Sequence, residues 1–363
     1  MPERMPILEE LETDAPGLLV QLIRQAQEFG ASDIHLHQVG SRAEISFRID
    51  GVLVPRLNLE GEMAERVFGR IKYLSRLKTY QHSLPQDGRI PRESVAAAQD
   101  LRVATYPTVT GEKIVLRLFQ SSQSVGTLDA LGFPENCQRE LERTLRSPGG
   151  LMLLTGPAGS GKTTTIYACL RYLASLGGRQ IITIEDPVEQ IIPGLMQTEI
   201  QEPLGLDFAK ATRHLLRQDP QVLVVGEIRD EETARLVVRA GMTGHLVIST
   251  LHAGSCRGVL ERLLAMCPDS HAVLSSLLLV LNQRLLRRQC ADCQGVGCGR
   301  CLQTGYRGRV AAVEWFHCET TNGGGKPLTS PADMKPETNL RQYADGLVAQ
   351  GQTSKAEVER VFG

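Results

Sequence analysis

Along the first third of the chain the spacing of apolar positions switches between two periods. After Asp14, which is suited to cap a helix, Leu18, Leu19, Leu22, Ile23, Ala26 and Phe29 recur at the spacing of one helical face. Ala43, Ile45, Phe47 and Ile49 then alternate with Glu44, Ser46 and Arg48, which predicts a half-buried strand. Asp50-Gly51 supplies a tight hairpin turn into the apolar stretch 52–54. A second helix over 62–77 and a strand over 113–118 complete a small α+β domain, expected to span 1–119. The polar, small-residue stretch that follows has little to pack, so 120–127 reads as a linker.

A different pattern begins after it. The runs 151–155, 181–184, 222–225 and 246–250 are strand-like and alternate with helical stretches, the signature of a parallel sheet covered on both faces. Residues 128–363 therefore read as an α/β domain without internal repeats. Gly323-Gly324-Gly325 is a flexible break, and a helical tail is expected over 339–362.

Composition changes this picture little. A chain of 363 residues exceeds one ordinary core, and 42% hydrophobic with 22% charged residues is globular rather than disordered. Forty basic and forty-one acidic side chains give a formal charge of −1, so no global field draws the protein to nucleic acid or anionic lipid. The amino terminus has no basic segment followed by an apolar one, and no run of about 18 apolar residues occurs, so a cytoplasmic protein is expected.

Chemistry enters at LMLLT-GPAGSGKT-TTIYACL, which sets a strand, a glycine-rich loop and a helix in succession. Gly156, Gly159 and Gly161 permit a backbone whose N–H groups converge on phosphate oxygens, and the segment Gly156, Pro157, Ala158, Gly159, Ser160, Gly161, Lys162, Thr163 and Thr164 is the expected ATP-binding loop. Lys162 is expected to reach the β/γ phosphates and the Thr163 hydroxyl to bind Mg²⁺. Two further strands end in acids, Glu185 in ITIEDPVE and Glu227 in VLVVGEIRD. Glu227 is suited to face the Mg²⁺, and one of the two carboxylates is expected to orient the attacking water, with no ranking between them. The fold class is thus α/β, with a RecA-like P-loop core joined to a smaller α+β domain.

These residues resemble the secretion ATPase superfamily, specifically the assembly motors of type II secretion, type IV pili and competence pseudopili. The resemblance rests on GPAGSGKTTT, TIEDPVE, LVVGEIRD and TGHLVISTLH, and extends through GASDIHLH, FRIDGVL, LPQDGRI and LRVATYPTVTGEKIVLRL in the amino-terminal domain. It implies a homohexamer in which the small domain of one subunit closes over the ATP of another. Arg89, Arg102 and Arg117 are then candidates for neutralising transition-state charge in trans, a task suited to an always-charged, forked guanidinium. It also implies that His252, and less directly His245, senses the γ-phosphate; pattern alone makes both strand-associated structural residues. The implied partner is an inner-membrane platform protein, with the chain peripheral at the cytoplasmic face. The match begins at the second of the family's usual amino-terminal domains, so the extra docking domain of larger relatives is expected to be missing. Ala253-Gly254-Ser255 replaces the usual Thr-Asn pair, and Ala158 a common threonine; neither change removes a proposed ligand.

Nine cysteines would fit disulfides, but four crowd into CADCQGVGCGRC. Two C-x2-C pairs at Cys290, Cys293, Cys298 and Cys301 suit one tetrahedral Zn²⁺. Such a module before TGYRGR is typical of the assembly motors and absent from retraction motors; its spacing also resembles a chaperone zinc repeat, though in a single copy. A nucleic-acid translocase on a related core is the rival reading, opposed by the neutral charge and the lack of a long basic run. A ring component that binds ATP without hydrolysing it is opposed by Lys162, Glu185 and Glu227.

Overall fold

The computed structural model describes residues 14–118, 126–318 and 328–363. Most of the expected linker 120–127 and all of the glycine triplet 323–325 lie outside the described residues. Two compact units form: Met1–Ser121 with Arg287–Gly308, and Ser122–Leu286 with Arg309–Gly363. The four-cysteine segment, expected within 128–363, thus groups with the amino-terminal unit. A physical tie lies in that unit, where the Gly308 amide donates to Asp50 Oδ2 at 2.7 Å.

In the first unit the order is α1 (Ala15–Glu28), β1 (Asp33–Val39), β2 (Arg42–Ile49), β3 (Val52–Glu60), α2 (Gly61–Leu74), β4 (Gln86–Ile90), β5 (Leu101–Thr108) and β6 (Gly111–Leu118). Asp14 caps α1 by accepting the Gly17 amide at 2.7 Å. The β2–β3 turn is the expected Asp50-Gly51 pair, with φ of 49° and 84°, the doubly left-handed geometry that matches strand twist. The strands form one six-stranded sheet in the order β3-β2-β1-β6-β5-β4. Alternation sends Ile34, Phe47, Leu116, Val103 and Ile90 into a shared core with Leu18, Leu22, Val67 and Ile71 of the two helices. The other face of the sheet is polar. One ion pair is sunk in this unit: Lys72 Nζ lies 2.7 Å from Glu112 Oε1, with both side chains at most 2% exposed.

The second unit runs α3 (Glu135–Leu145), β7 (Gly150–Thr155), α4 (Lys162–Leu176), β8 (Ile181–Glu185), β9 (Met196–Glu199), α5 (Phe208–Leu215), β10 (Val222–Val225), α6 (Glu231–Met242), β11 (Leu246–Thr250), α7 (Cys256–Met266), α8 (Ser270–Ser276), β12 (Leu277–Gln289), β13 (Tyr306–His317), α9 (Leu340–Ala349) and α10 (Lys355–Phe362). The sheet order is β13-β12-β7-β11-β10-β8-β9, and the pairs from β12 through β7, β11, β10 and β8 to β9 are parallel. Every residue of β7, β8, β10 and β11 is buried, as both-face coverage requires. One face packs on Ile166, Leu170 and Leu173 of α4; the other packs on Val237 of α6 and Val259, Leu260 and Leu263 of α7. The expected helical tail is two helices, because Gly351 turns left-handed at φ 69° and Ser354 caps a fresh start by accepting the Glu357 amide.

Removing one partner of the buried pair strands the other charge, a cost of about 3–5 kcal/mol. Lys72→Met is expected to destabilise the protein by about that amount in urea unfolding. Adding Glu112→Leu to it is expected to restore most of the loss.

Candidate functional site

Parallel strands deliver their carboxyl ends to one edge of a sheet, and four of the expected motifs meet there. The glycine-rich loop follows β7, Glu185 closes β8, Glu227 lies two residues beyond β10 and His252 two beyond β11. Gly156, Gly159 and Gly161 all sit at positive φ, 142°, 73° and 93°. Two of them also lack room: a Cβ on Gly156 would come within 2.5 Å of the Gln283 carbonyl oxygen, and one on Gly161 within 2.9 Å of Gln283 Nε2. Gly161 caps α4 without a side chain, so the first amides of that helix stay available to an anion. Pro157, Ala158 and Gly159 are exposed at the crest of the loop, Ser160 is buried, and Thr163 and Thr164 are exposed on the first turn of α4.

Lys162 folds back over this loop, its ammonium donating to the carbonyls of Gly156 at 2.8 Å and Pro157 at 3.0 Å. Burial lowers its pKa from the ordinary lysine value; the Glu227 carboxylate works against that shift and Arg284 with it. His252 bridges the site, with Nε2 3.2 Å from Glu227 Oε1 and Nδ1 3.3 Å from the Gly156 carbonyl oxygen. Glu227 is partly open, its side chain 24% exposed, and its other oxygen meets Arg229 Nε at 3.0 Å.

Glu185 is differently placed. It is buried and accepts from Tyr167 Oη and Thr183 Oγ1 at 2.5 Å each and from Gln197 Nε2 at 3.1 Å. Burial, and then the bond to this carboxylate, push the Tyr167 phenol far above its ordinary range, so it stays a donor. Three donors and little solvent make Glu185 a fixed anchor. His245 does not join the group. It precedes β11, at the opposite edge of the sheet, where its carbonyl accepts the Gly150 amide at 3.0 Å; the five residues of β11 separate it from the phosphate edge by roughly 17 Å.

In the first unit the three candidate arginines fall into one cross-strand row. Arg89 of β4 opposes Arg102 of β5, Arg102 opposes Arg117 of β6, and Arg117 opposes Asp33 of β1. Asp33 Oδ1 lies 3.1 Å from Arg117 Nε, and its Oδ2 lies 3.4 Å from Arg48 Nε on β2; Arg89 meets Asp100 at 2.7 Å. All three arginines are exposed on the polar face of the sheet.

Several residues of the site had no role assigned from the sequence: Arg229, Tyr167 and Thr155, which lie within or beside the motifs, and Asn282 and Gln283, which lie outside them. For the last two a signal existed, since two amides directly after the apolar run 277–281 must find partners if buried.

The family described as type II/IV secretion system protein matches residues 11–360. The chain belongs to that family. This secretion-system protein is 39% identical over 358 residues to the protein transport protein HofB homolog of Haemophilus influenzae, covering 98% of itself and 75% of that relative. It is 37% identical over 398 residues to the type II secretion system ATPase E of Vibrio cholerae, covering 99% of itself and 78% of that chain. Among solved structures it resembles the pilus retraction motor PilT with bound ADP, at 27% identity and a TM-score of 0.65, covering 94% and 96% of the two chains. The protein is an ATPase of that family, and the nucleic-acid alternative gains no support from its relatives.

The metal module fits its expected ion. The four sulfurs of Cys290, Cys293, Cys298 and Cys301 lie within 4.8 Å of one another, with separations of 4.0, 3.8 and 3.7 Å for the 290–298, 293–301 and 298–301 pairs. Zinc–sulfur bonds of about 2.3 Å give tetrahedral edges of about 3.8 Å. Amides turn toward the sulfurs, Gly297 N to Cys293 Sγ and Cys298 N to Cys301 Sγ, both at 3.2 Å. Burial opposes the Cys293 thiolate, but the Gly297 and Gly295 amides, together with hydrogen bonds to the Cys290 and Cys301 sulfurs, outweigh it and leave that thiol at about 7. Protein purified without chelator is expected to carry about one zinc per chain, and Cys293→Ser to lose most of it in metal analysis; full retention would exclude this ligand.

Proposed function

We propose that this chain is the ATPase of a machine that assembles a pilus or pseudopilus, working as a homohexameric ring against a platform protein at the cytoplasmic face of the inner membrane. Among the described residues no helix is long and apolar enough to cross a membrane, which is compatible with a peripheral position. One observation carries the catalytic part: at a single sheet edge, His252 links the carboxylate of Glu227 to the backbone of the phosphate loop.

In this reading the amides from Gly159 to Thr164 bind the phosphates, with Ser160 giving up its bond to the Pro157 carbonyl and Lys162 exchanging its bonds to Gly156 and Pro157 for the β/γ oxygens. Thr163 and Glu227 would hold Mg²⁺, which would supply neutralisation of phosphate charge. Glu227 orients the attacking water, because it is open to solvent and next to the loop, whereas Glu185 is sealed by three donors. A change at the γ-phosphate shifts the His252 bridge and, through its chain neighbours, the start of α7. The row Arg89–Arg102–Arg117 serves a neighbouring subunit. Like charges set directly opposite one another repel, and a polyanionic phosphate relieves that repulsion. Cys290, Cys293, Cys298 and Cys301 hold a structural zinc. ATP binding and hydrolysis move the amino-terminal domain, 1–119, and the ATPase domain, 128–363, as separate bodies.

Lys162→Ala is expected to abolish ATP turnover in the purified oligomer and filament or secretion output in cells; unchanged turnover would reject the phosphate site. The two carboxylates separate by kind of failure. Glu227→Gln is expected to lower kcat by about 10²–10⁴ with nucleotide binding kept and unfolding unchanged. Glu185→Gln is expected mainly to lower the unfolding midpoint, and the opposite pattern in kinetics and melting would reverse their roles.

A further inference from the structure

Strand β12 puts two consecutive amide side chains, Asn282 and Gln283, under the nucleotide site. They are 0% and 1% exposed, in a strand otherwise built from leucine and valine at this depth. Burying two amides in such a strand is unfavourable unless each finds specific partners, and both do. Because consecutive residues of a strand face opposite ways, the two reach different loops.

Gln283 points to the α4 face. Its Nε2 donates to the Ser160 carbonyl at 2.7 Å and its Oε1 accepts from Thr165 Oγ1 at 3.0 Å, so one amide ties the buried end of the phosphate loop to the first turn of its helix. It also fills the space that forbids a side chain at Gly161. Asn282 points to the α7 face. Its Nδ2 donates to the Gly254 carbonyl at 2.9 Å, two residues beyond His252, and its Oδ1 accepts from Arg284 at 3.0 Å. Asn282 pairs in register with Thr155, whose hydroxyl accepts the Ala253 amide at 2.9 Å and donates to the Ala253 carbonyl at 3.0 Å. The segment 253–254 is therefore pinned from two adjacent strands.

We infer that Asn282 and Gln283 are positioning residues with divided tasks: Gln283 sets the shape of the phosphate loop and hence nucleotide affinity, while Asn282 sets the His252 segment and hence turnover. The division rests on the assignment of Lys162 to phosphate and of His252 to the reacting end of the nucleotide.

The test is steady-state ATPase kinetics on the full-length oligomer, together with equilibrium binding of a fluorescent ATP analogue with Mg²⁺. Gln283→Met keeps the volume and removes both hydrogen bonds. It is expected to raise KM and the dissociation constant about tenfold, with kcat within about twofold. Asn282→Leu is expected to lower kcat about tenfold with the dissociation constant unchanged, matching His252→Ala in kind. Should either variant fail to fold, Thr165→Val removes the hydroxyl that donates to Gln283 and Thr155→Val the hydroxyl that pins Ala253, both with shape preserved, and the same division is expected between them. Loss of thermal stability in both members of a pair, with kcat and affinity moving together or not at all, overturns the inference. Lys162→Ala run in parallel separates the failures: if it leaves turnover intact, the phosphate assignment falls; if it abolishes turnover while the strand variants show no split, only the positioning roles fall.

Discussion

A loop that holds phosphate by its backbone amides must leave those amides without internal partners and still keep one shape. The usual means of fixing a loop, pairing its N–H groups, is therefore little used: the Ser160 amide turns inward to the Pro157 carbonyl at 3.2 Å, and the rest of the shape has other causes. In this chain the shape is imposed through the carbonyls and the steric limits instead. Gln283 grips the Ser160 carbonyl, Lys162 grips the carbonyls of Gly156 and Pro157, and the three glycines adopt left-handed φ values that side chains disfavour. The amides at the start of α4 are left free by construction, because the cap is Gly161 rather than a serine or aspartate.

The parallel sheet turns that local solution into a site. Each of β7, β8, β10 and β11 ends at the same edge, so residues spread over nearly a hundred positions arrive within hydrogen-bond range without long loops to order. The His252 bridge between Gly156 and Glu227 exists because β11 lies between β7 and β10 in the sheet order. Sheet order also separates the two histidines of the same motif, leaving His252 at the phosphate edge and His245 a full strand length away.

What the sequence made legible follows period and glycine chemistry. The first helix, the Asp50-Gly51 hairpin and the strands 222–225 and 246–250 were readable because one periodic signal or turn pair dominated each window. The long strands β12 and β13 were not, because an apolar run such as 277–281 is compatible with a buried helix as well as a strand. The strand-end acids were legible as a pair but not as different groups. What distinguishes Glu185 from Glu227 is three donors, and two of them, Tyr167 and Gln197, are brought in from other elements by the fold. The grouping of the four cysteines with the amino-terminal unit depends on a contact between Gly308 and Asp50 that spans 258 positions and has no local pattern.

Net charge concealed the chemistry of the amino-terminal unit for a related reason. A balance of −1 averages over the chain, whereas register sets three guanidiniums side by side on β4, β5 and β6. Two carboxylates, Asp33 and Asp100, hold the outer members of that row, Arg117 and Arg89, in fixed directions. Asp33 is almost wholly shielded from solvent at 7% exposure, so its bond to Arg117 orients a side chain that is itself 66% exposed. A surface ion pair of that kind adds little stability, on the order of 1 kcal/mol or less. Its effect is directional: it presents charge at a set position on a rigid sheet, which is what recognition of a planar or tetrahedral anion requires.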